Sequence, residues 1–168
     1  GDGGAIVTDD DKIADEIMLL RNYGQRRKYE HVIKGFNSRL DEIQAAILIA
    51  KLKHLDSWVE RKRKAAAEYN RLLADANVIT PVEARYGKHA YYLYVIRSRQ
   101  RDRLQQHLKK EGVETLIHYP TPVHKHKAFS EYNNQRFAVA EKITKEILSL
   151  PMFPELTREE ISSVATAV

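Results

Sequence analysis

Gly35-Phe36-Asn37-Ser38-Arg39 puts a permissive backbone position, a carboxamide and a guanidinium just ahead of a long run of helix-forming residues. The unpaired N–H groups of a helix start and the helix dipole favour an anion there, so these residue types at this place can form an anion site. The same residues also serve simple helix entry, with Ser38 as the N-cap and Asp41 and Glu42 in the first turn. A second group is His118, His124 and His126, three imidazoles on one stretch. Imidazole is the commonest transition-metal ligand, but this spacing follows no ligand pattern and no carboxylate is interleaved before Glu131, so no metal is expected. Contact with a substrate by one of these histidines and a plain polar loop both remain open. Gly1-Asp2-Gly3-Gly4 precedes an apolar segment and does not follow a strand, which makes it a tight turn and not a dinucleotide fingerprint.

These groups need elements to hold them. GAIVT at Gly4–Thr8 reads as a short strand, and Asp9-Asp10-Asp11 turns it into a helix with Ile13, Ile17 and Leu20 on one face. Asn22-Tyr23-Gly24 ends that helix, and Gln25–Lys34 follows as a polar, basic loop of functional length that carries Tyr29 and His31. From Ser38 to Asp75 no Gly or Pro interrupts, which predicts one helix reaching about 50 Å. Its first half is apolar nearly all round, as for a helix buried on several sides. Its second half carries Leu55, Val59, Ala66, Tyr69 and Leu73 as a stripe against Arg61-Lys62-Arg63-Lys64. Such a helix bridges domains or subunits.

Beyond it, strands are expected at Val78–Val82, His89–Arg97 and Glu114–Tyr119, and an extended segment at Ser149–Phe153. Helices are expected at Arg101–Glu111, stopped by Gly112, at Arg136–Leu148, and after a Thr157/Glu160 capping box. The order describes an α+β small domain with a mainly antiparallel sheet, preceded by the bridging helix. The division is 1–37 for the end of a large domain and an interface loop, 38–75 for the helix, and 76–168 for the small domain.

The 168 residues carry a net charge of +5 and no cysteine, which excludes disulfides and Cys-ligated zinc. Acidic residues interleave with the basic run at 61–64 and an apolar stripe lies opposite it. It therefore reads as a solvated helix face and not as a nucleic-acid surface. No apolar run approaches the length of a membrane span, and a cytoplasmic location is expected.

GDGGAIVTDD, LLRNYG, the spaced set Tyr29, His31, Gly35, Asn37, Arg39, Asp41, Gln44-Ala45-Ala46, and IHYPTPVH together resemble the C-terminal half of the DegT/DnrJ/EryC1/StrS aminotransferases. The resemblance covers essentially the whole chain in the family's order. It implies the C-terminal part of an α/β fold of the aspartate aminotransferase type, bound to pyridoxal 5'-phosphate, with glutamate and a nucleotide-linked keto-sugar as substrates. It also implies a homodimer whose active site is shared across the interface. Asn37 matches the asparagine that reaches the cofactor phosphate of the neighbouring subunit, which raises anion binding above capping, and Arg39 matches the motif's arginine beside it. Tyr29 and His31 lie in the segment approaching the neighbouring site, and His118, Tyr119 and His124 match a loop lining the sugar pocket. The lysine that holds the cofactor covalently is expected upstream of Gly1, and none of Lys12, Lys28 or Lys34 stands at its position. The chain alone is therefore expected to be inactive. Two other parents remain open: a non-catalytic regulatory or sensory protein of the same fold, and a cofactor-dependent sugar dehydratase.

Overall fold

The structure is a computed structural model that describes residues 3–168; Gly1 and Asp2, the first half of the turn expected at Gly1-Asp2-Gly3-Gly4, lie outside the described residues. The chain divides into two compact units, one ending at His54 and the other running from Leu55 to Val168.

In the first unit, α1 (Asp11–Leu20) starts on Asp10, whose carboxylate accepts from the Lys12 and Ile13 N–H groups. This satisfies two of the four orphan donors of the first turn. The expected strand at Gly4–Thr8 is absent. No described segment pairs with it and Val7 is almost wholly exposed, so the β-branched residues have no ladder to join. The loop at 25–34 is instead a small antiparallel hairpin, β1 (Gln25–Arg27) with β2 (Glu30–His31).

The single long helix expected over 38–75 is two helices, α2 (Glu42–Leu52) and α3 (Leu55–Leu72). The break comes without Gly or Pro. The His54 N–H donates to the Lys51 carbonyl, the shortened bond of a terminating turn. Ser38 is not the cap: Asp41 holds the N-cap position, without a side-chain cap bond. The apolar surface of α2, expected to be buried on several sides, buries no residue within this chain, and Ile43 is 77% exposed.

The second unit is an α+β layer. β3 (Tyr94–Arg97) pairs antiparallel with β4 (Ile147–Leu150), Tyr94 opposite Leu150 and Arg97 opposite Ile147. Single antiparallel bridges extend the sheet on both sides, Ile79 to Arg97 and Leu116 to Ser149. The expected strands at Val78–Val82 and Glu114–Tyr119 shrink to these bridges; in the first, Pro81 lacks the N–H a ladder requires. Helices α4 (Arg101–Lys110), α5 (Ala138–Glu146) and α6 (Arg158–Ala167) complete the unit. Tyr69 of α3, Leu73 just after it, Ile96 of β3, Leu108 of α4, Leu148 of β4 and Ile161 of α6 meet in one core. At about 1.5–3 kcal/mol per buried large side chain, this core is the main source of the unit's stability. Gly112 ends α4 at φ 79°, and the Thr157/Glu160 capping box opens α6 as the spacing predicts. Among the described residues, no helix is long and apolar enough to cross a membrane.

Candidate functional site

The first unit fixes the Asn37 segment by backbone contacts. After α1 the chain turns through Tyr23 at φ 58° and Gly24 at φ 69°, and the returning strand lies against this turn. Tyr23 N–H donates to the Phe36 carbonyl at 2.8 Å, Phe36 N–H to the Leu20 carbonyl at 2.7 Å, and Ser38 N–H to the Arg21 carbonyl at 2.9 Å. Asn37 is thereby bridged to Asn22, while its carboxamide stays exposed and forms no hydrogen bond with a described residue. Arg39 sets its guanidinium 5.9 Å from the Tyr23 ring centroid, at the edge of a cleft of about 520 Å³ that Arg21, Arg26 and Asp15 also line. Three guanidiniums against one carboxylate make this an electropositive surface, suited to an anion.

His31 and Tyr29 stand in the same unit with different environments. The Nδ1 of His31 lies 2.9 Å from the Tyr23 carbonyl oxygen, which can only accept, so Nδ1 carries the proton. Its Nε2 is left to accept from the Gln25 amide at 3.3 Å. Nδ1 thus ties the hairpin to the turn after α1, and Nε2 links its two strands. Tyr29, at φ 70° on the hairpin tip, is 80% exposed, with the Lys28 ammonium 5.1 Å from its ring centroid.

The other candidates belong to the second unit. His118 Nδ1 lies 2.9 Å from the Ser149 hydroxyl on β4, and the following peptide, His118–Tyr119, is cis. The Tyr119 ring meets the His118 ring edge-on and is 71% exposed. His124, on a 3₁₀ turn at Val123–Lys125, points inward: it is 8% exposed, its ring centroid is 4.7 Å from that of Phe137, and its Nε2 bonds Glu141 Oε1 at 3.1 Å. The bond from His124, with a second from the Phe137 N–H, holds the Glu141 carboxyl below the ordinary carboxylate range. The described residues contain no group of three or more His, Cys, Asp or Glu side chains that could hold a metal. Gln25, Ser149 and Glu141 are the side-chain partners of His31, His118 and His124, and no sequence motif marks them. Each is an ordinary polar residue in its own element, and only long-range contact gives it a role.

The hairpin-braced turn, the two successive helices and the α+β layer follow one another along the chain as they do in the C-terminal part of aminotransferases. The chain superposes on the crystal structure of DesV from S. venezuelae, solved in complex with a ketimine intermediate, with a TM-score of 0.89, 41% identity, and coverage of 96% of this chain and 44% of that one. An aminotransferase from Brucella abortus gives a TM-score of 0.88 at 33% identity, over 95% of this chain and 43% of that one. The match to the DegT/DnrJ/EryC1/StrS aminotransferase family extends over residues 1–168, and the chain belongs to that family. It is 44% identical over 99% of its length to a dTDP-3-amino-3,6-dideoxy-alpha-D-galactopyranose transaminase of Aneurinibacillus thermoaerophilus, covering 46% of that protein. It is 48% identical over 98% of its length to the erythromycin biosynthesis sensory transduction protein EryC1 of Saccharopolyspora erythraea, covering 46%. It is also 47% identical over 95% of its length to a pleiotropic regulatory protein of Geobacillus stearothermophilus, covering 44%. The chain spans about half the length of these relatives.

Proposed function

We propose that this chain is the C-terminal half of a pyridoxal-phosphate enzyme that transfers an amino group from glutamate to a nucleotide-linked keto-sugar. The enzyme works in the cytoplasm as a homodimer whose active site is shared across the interface. The single observation that carries this reading is the exposed Asn37 carboxamide on a backbone held by the α1 turn, two residues ahead of Arg39 in the chain. A carboxamide N–H and a guanidinium are the donors a phosphate monoester takes, and Arg21 and Arg26, which line one cleft with Arg39, add favourable potential. Asn37 and Arg39 therefore fit the cofactor phosphate and would hold it. The cofactor, when bound, supplies the electron sink that amino-group transfer requires. Tyr29 and His31 act toward the neighbouring site, Tyr29 as the exposed contact and His31 as the brace of its hairpin. His118 and Tyr119 hold the sugar, while His124 serves the same loop from its buried side. The covalent lysine belongs to the part of the protein that precedes Gly1, so this chain alone does not transaminate. The name of the A. thermoaerophilus relative supports the sugar substrate.

The names of the G. stearothermophilus and S. erythraea relatives support a second reading, a regulatory or sensory protein that keeps the fold without the chemistry. One experiment separates them: the visible spectrum of the full-length protein with pyridoxal phosphate, repeated with glutamate and after borohydride. A band that glutamate removes, with cofactor fixed covalently by borohydride, supports the aminotransferase. Cofactor bound without covalent fixation favours the dehydratase variant of the same fold, and absence of binding favours the regulatory protein.

A further inference from the structure

The Tyr119–Val123 segment is flanked by two histidines, His118 and His124, that share no partner. On one side His118 is tied through Nδ1 to the hydroxyl of Ser149, a residue 5% exposed in the sheet. On the other, His124 turns into the protein and meets Glu141 on the first turn of α5. A carboxylate only accepts, so His124 Nε2 donates, and its proton position is set by this bond. The same Glu141 Oε1 also accepts from the Phe137 N–H at 3.2 Å. One oxygen therefore joins the loop to the helix start, and the Phe137 ring closes over the imidazole. Between the two anchors the chain reads Tyr119-Pro120-Thr121-Pro122-Val123, and the two prolines fix φ and restrict the residues before them. A stiff segment pinned at both ends transmits the position of His124 to Tyr119. The surroundings do not otherwise hold it, since Tyr119 and Val123 are largely exposed.

We propose that Glu141 is a positioning residue which, through His124, sets the Tyr119 loop for the sugar portion of the substrate. The sugar rests on the reading of the protein as a sugar aminotransferase; the latch itself does not. His124 thus has a role distinct from Tyr119: its Nε2 is committed to Glu141, and Tyr119 is the exposed group that the latch presents.

The test uses the full-length protein with Glu141→Ala and Glu141→Gln, read by steady-state kinetics and by amide hydrogen exchange. The loop amides of Lys125, His126 and Phe129, bonded to the Pro122, Val123 and His126 carbonyls, report the latch directly. With Glu141→Ala these amides exchange about tenfold faster and KM for the keto-sugar rises about tenfold, as expected for loss of a charge-assisted hydrogen bond. KM for glutamate and kcat stay within about twofold, because the loop acts on the sugar and not on the shared chemistry. Glu141→Gln keeps an oxygen that accepts both donors and restores both readouts. Unchanged exchange in Glu141→Ala, or a Gln variant as impaired as the Ala variant, overturns the latch. Faster exchange with an unchanged sugar KM overturns the sugar-positioning role. If the wild-type protein does not transaminate, the aminotransferase reading has failed, and exchange alone still decides the latch.

Discussion

Gly35 packs so tightly on Gly24 that a Cβ on Gly35 would overlap the Gly24 nitrogen and stand 2.7 Å from the Tyr23 carbonyl carbon and 2.8 Å from the Leu20 carbonyl oxygen. All three obstructing atoms are backbone, so no side-chain rotation relieves the overlap. Gly35→Ala is therefore expected to destabilise the first unit by at least about 2 kcal/mol. The amides of Tyr23 and Phe36, which bond across this approach, should lose protection from exchange. The β3–β4 amides of the second unit serve as the internal control. Retained protection at Tyr23 and Phe36 would show that the close packing is not required.

Glu83 gives the second unit a defined acid response. Arg63 forks onto it, Nη1 to Oε1 at 2.6 Å and Nη2 to Oε2 at 3.0 Å, and the His89 N–H adds a bond to Oε1 at 2.7 Å. The Arg63 bond first, then the His89 N–H, hold the carboxyl at about 2 against an ordinary 4.5. A depressed carboxyl binds fewer protons folded than unfolded. Its contribution is therefore complete above an ordinary carboxyl pKa and is lost as pH falls from 4.5 through about 2. Wild type and Glu83→Gln should differ in urea midpoint near neutral pH and converge across that window. A difference that stays constant through the acid limb would mean that the ion pair is not its source.

Where local chemistry and tertiary packing agree, the sequence predicts the element. The Thr157/Glu160 box opens α6, Gly112 closes α4, and Ala66 and Tyr69 of α3, with Leu73 just beyond its end, face the core as their spacing requires. Where long-range pairing decides, local pattern fails. Ile143 and Ile147 lie in helical register, yet α5 stops at Glu146, because Ile147–Leu150 has a partner in Tyr94–Arg97 some fifty residues earlier. The Lys53–His54 break has no Gly or Pro to announce it. The candidate site divides in the same way. The types and order of Asn37, Arg39, His31, His118 and His124 single out their segments, but nothing local announces the inward turn of His124, which depends on Glu141 and Phe137.

The core of the second unit should rank its own substitutions. Leu108 is wholly buried, and Leu108→Ala is expected to cost about 2–5 kcal/mol through lost transfer energy and the cavity left behind. Tyr94 is also wholly buried, stacked on Tyr69 with ring centroids 4.9 Å apart, and its hydroxyl donates to Asn70 Oδ1 at 2.6 Å. Tyr94→Phe keeps the packing and removes only that donor, so about 1–2 kcal/mol is expected. Burial pushes the Tyr94 phenol above its ordinary pKa, so it remains a donor through neutral pH. Thermal unfolding should place Leu108→Ala below Tyr94→Phe, and the reverse order would mean that the polar contact outweighs the apolar core.

Asn37 offers the sharpest test of the anion site, because its backbone is fixed by neighbours while its side chain is exposed. Asn37→Ala removes the amide donor without altering the Tyr23–Phe36 and Ser38–Arg21 bonds that hold the segment. In the full-length protein the Kd for pyridoxal phosphate should rise about tenfold, the loss expected for one hydrogen bond to a charged group. Asn37→Asp should be worse than Asn37→Ala, since a carboxylate near the phosphate adds repulsion to the lost donor. The order separates a phosphate contact from a purely structural role, for which Asp, nearly isosteric with Asn, is the milder change. Equilibrium dialysis of cofactor against the three proteins reads the order directly. If Asn37→Asp binds as tightly as wild type, the side chain does not face the phosphate and the assignment of Asn37 fails.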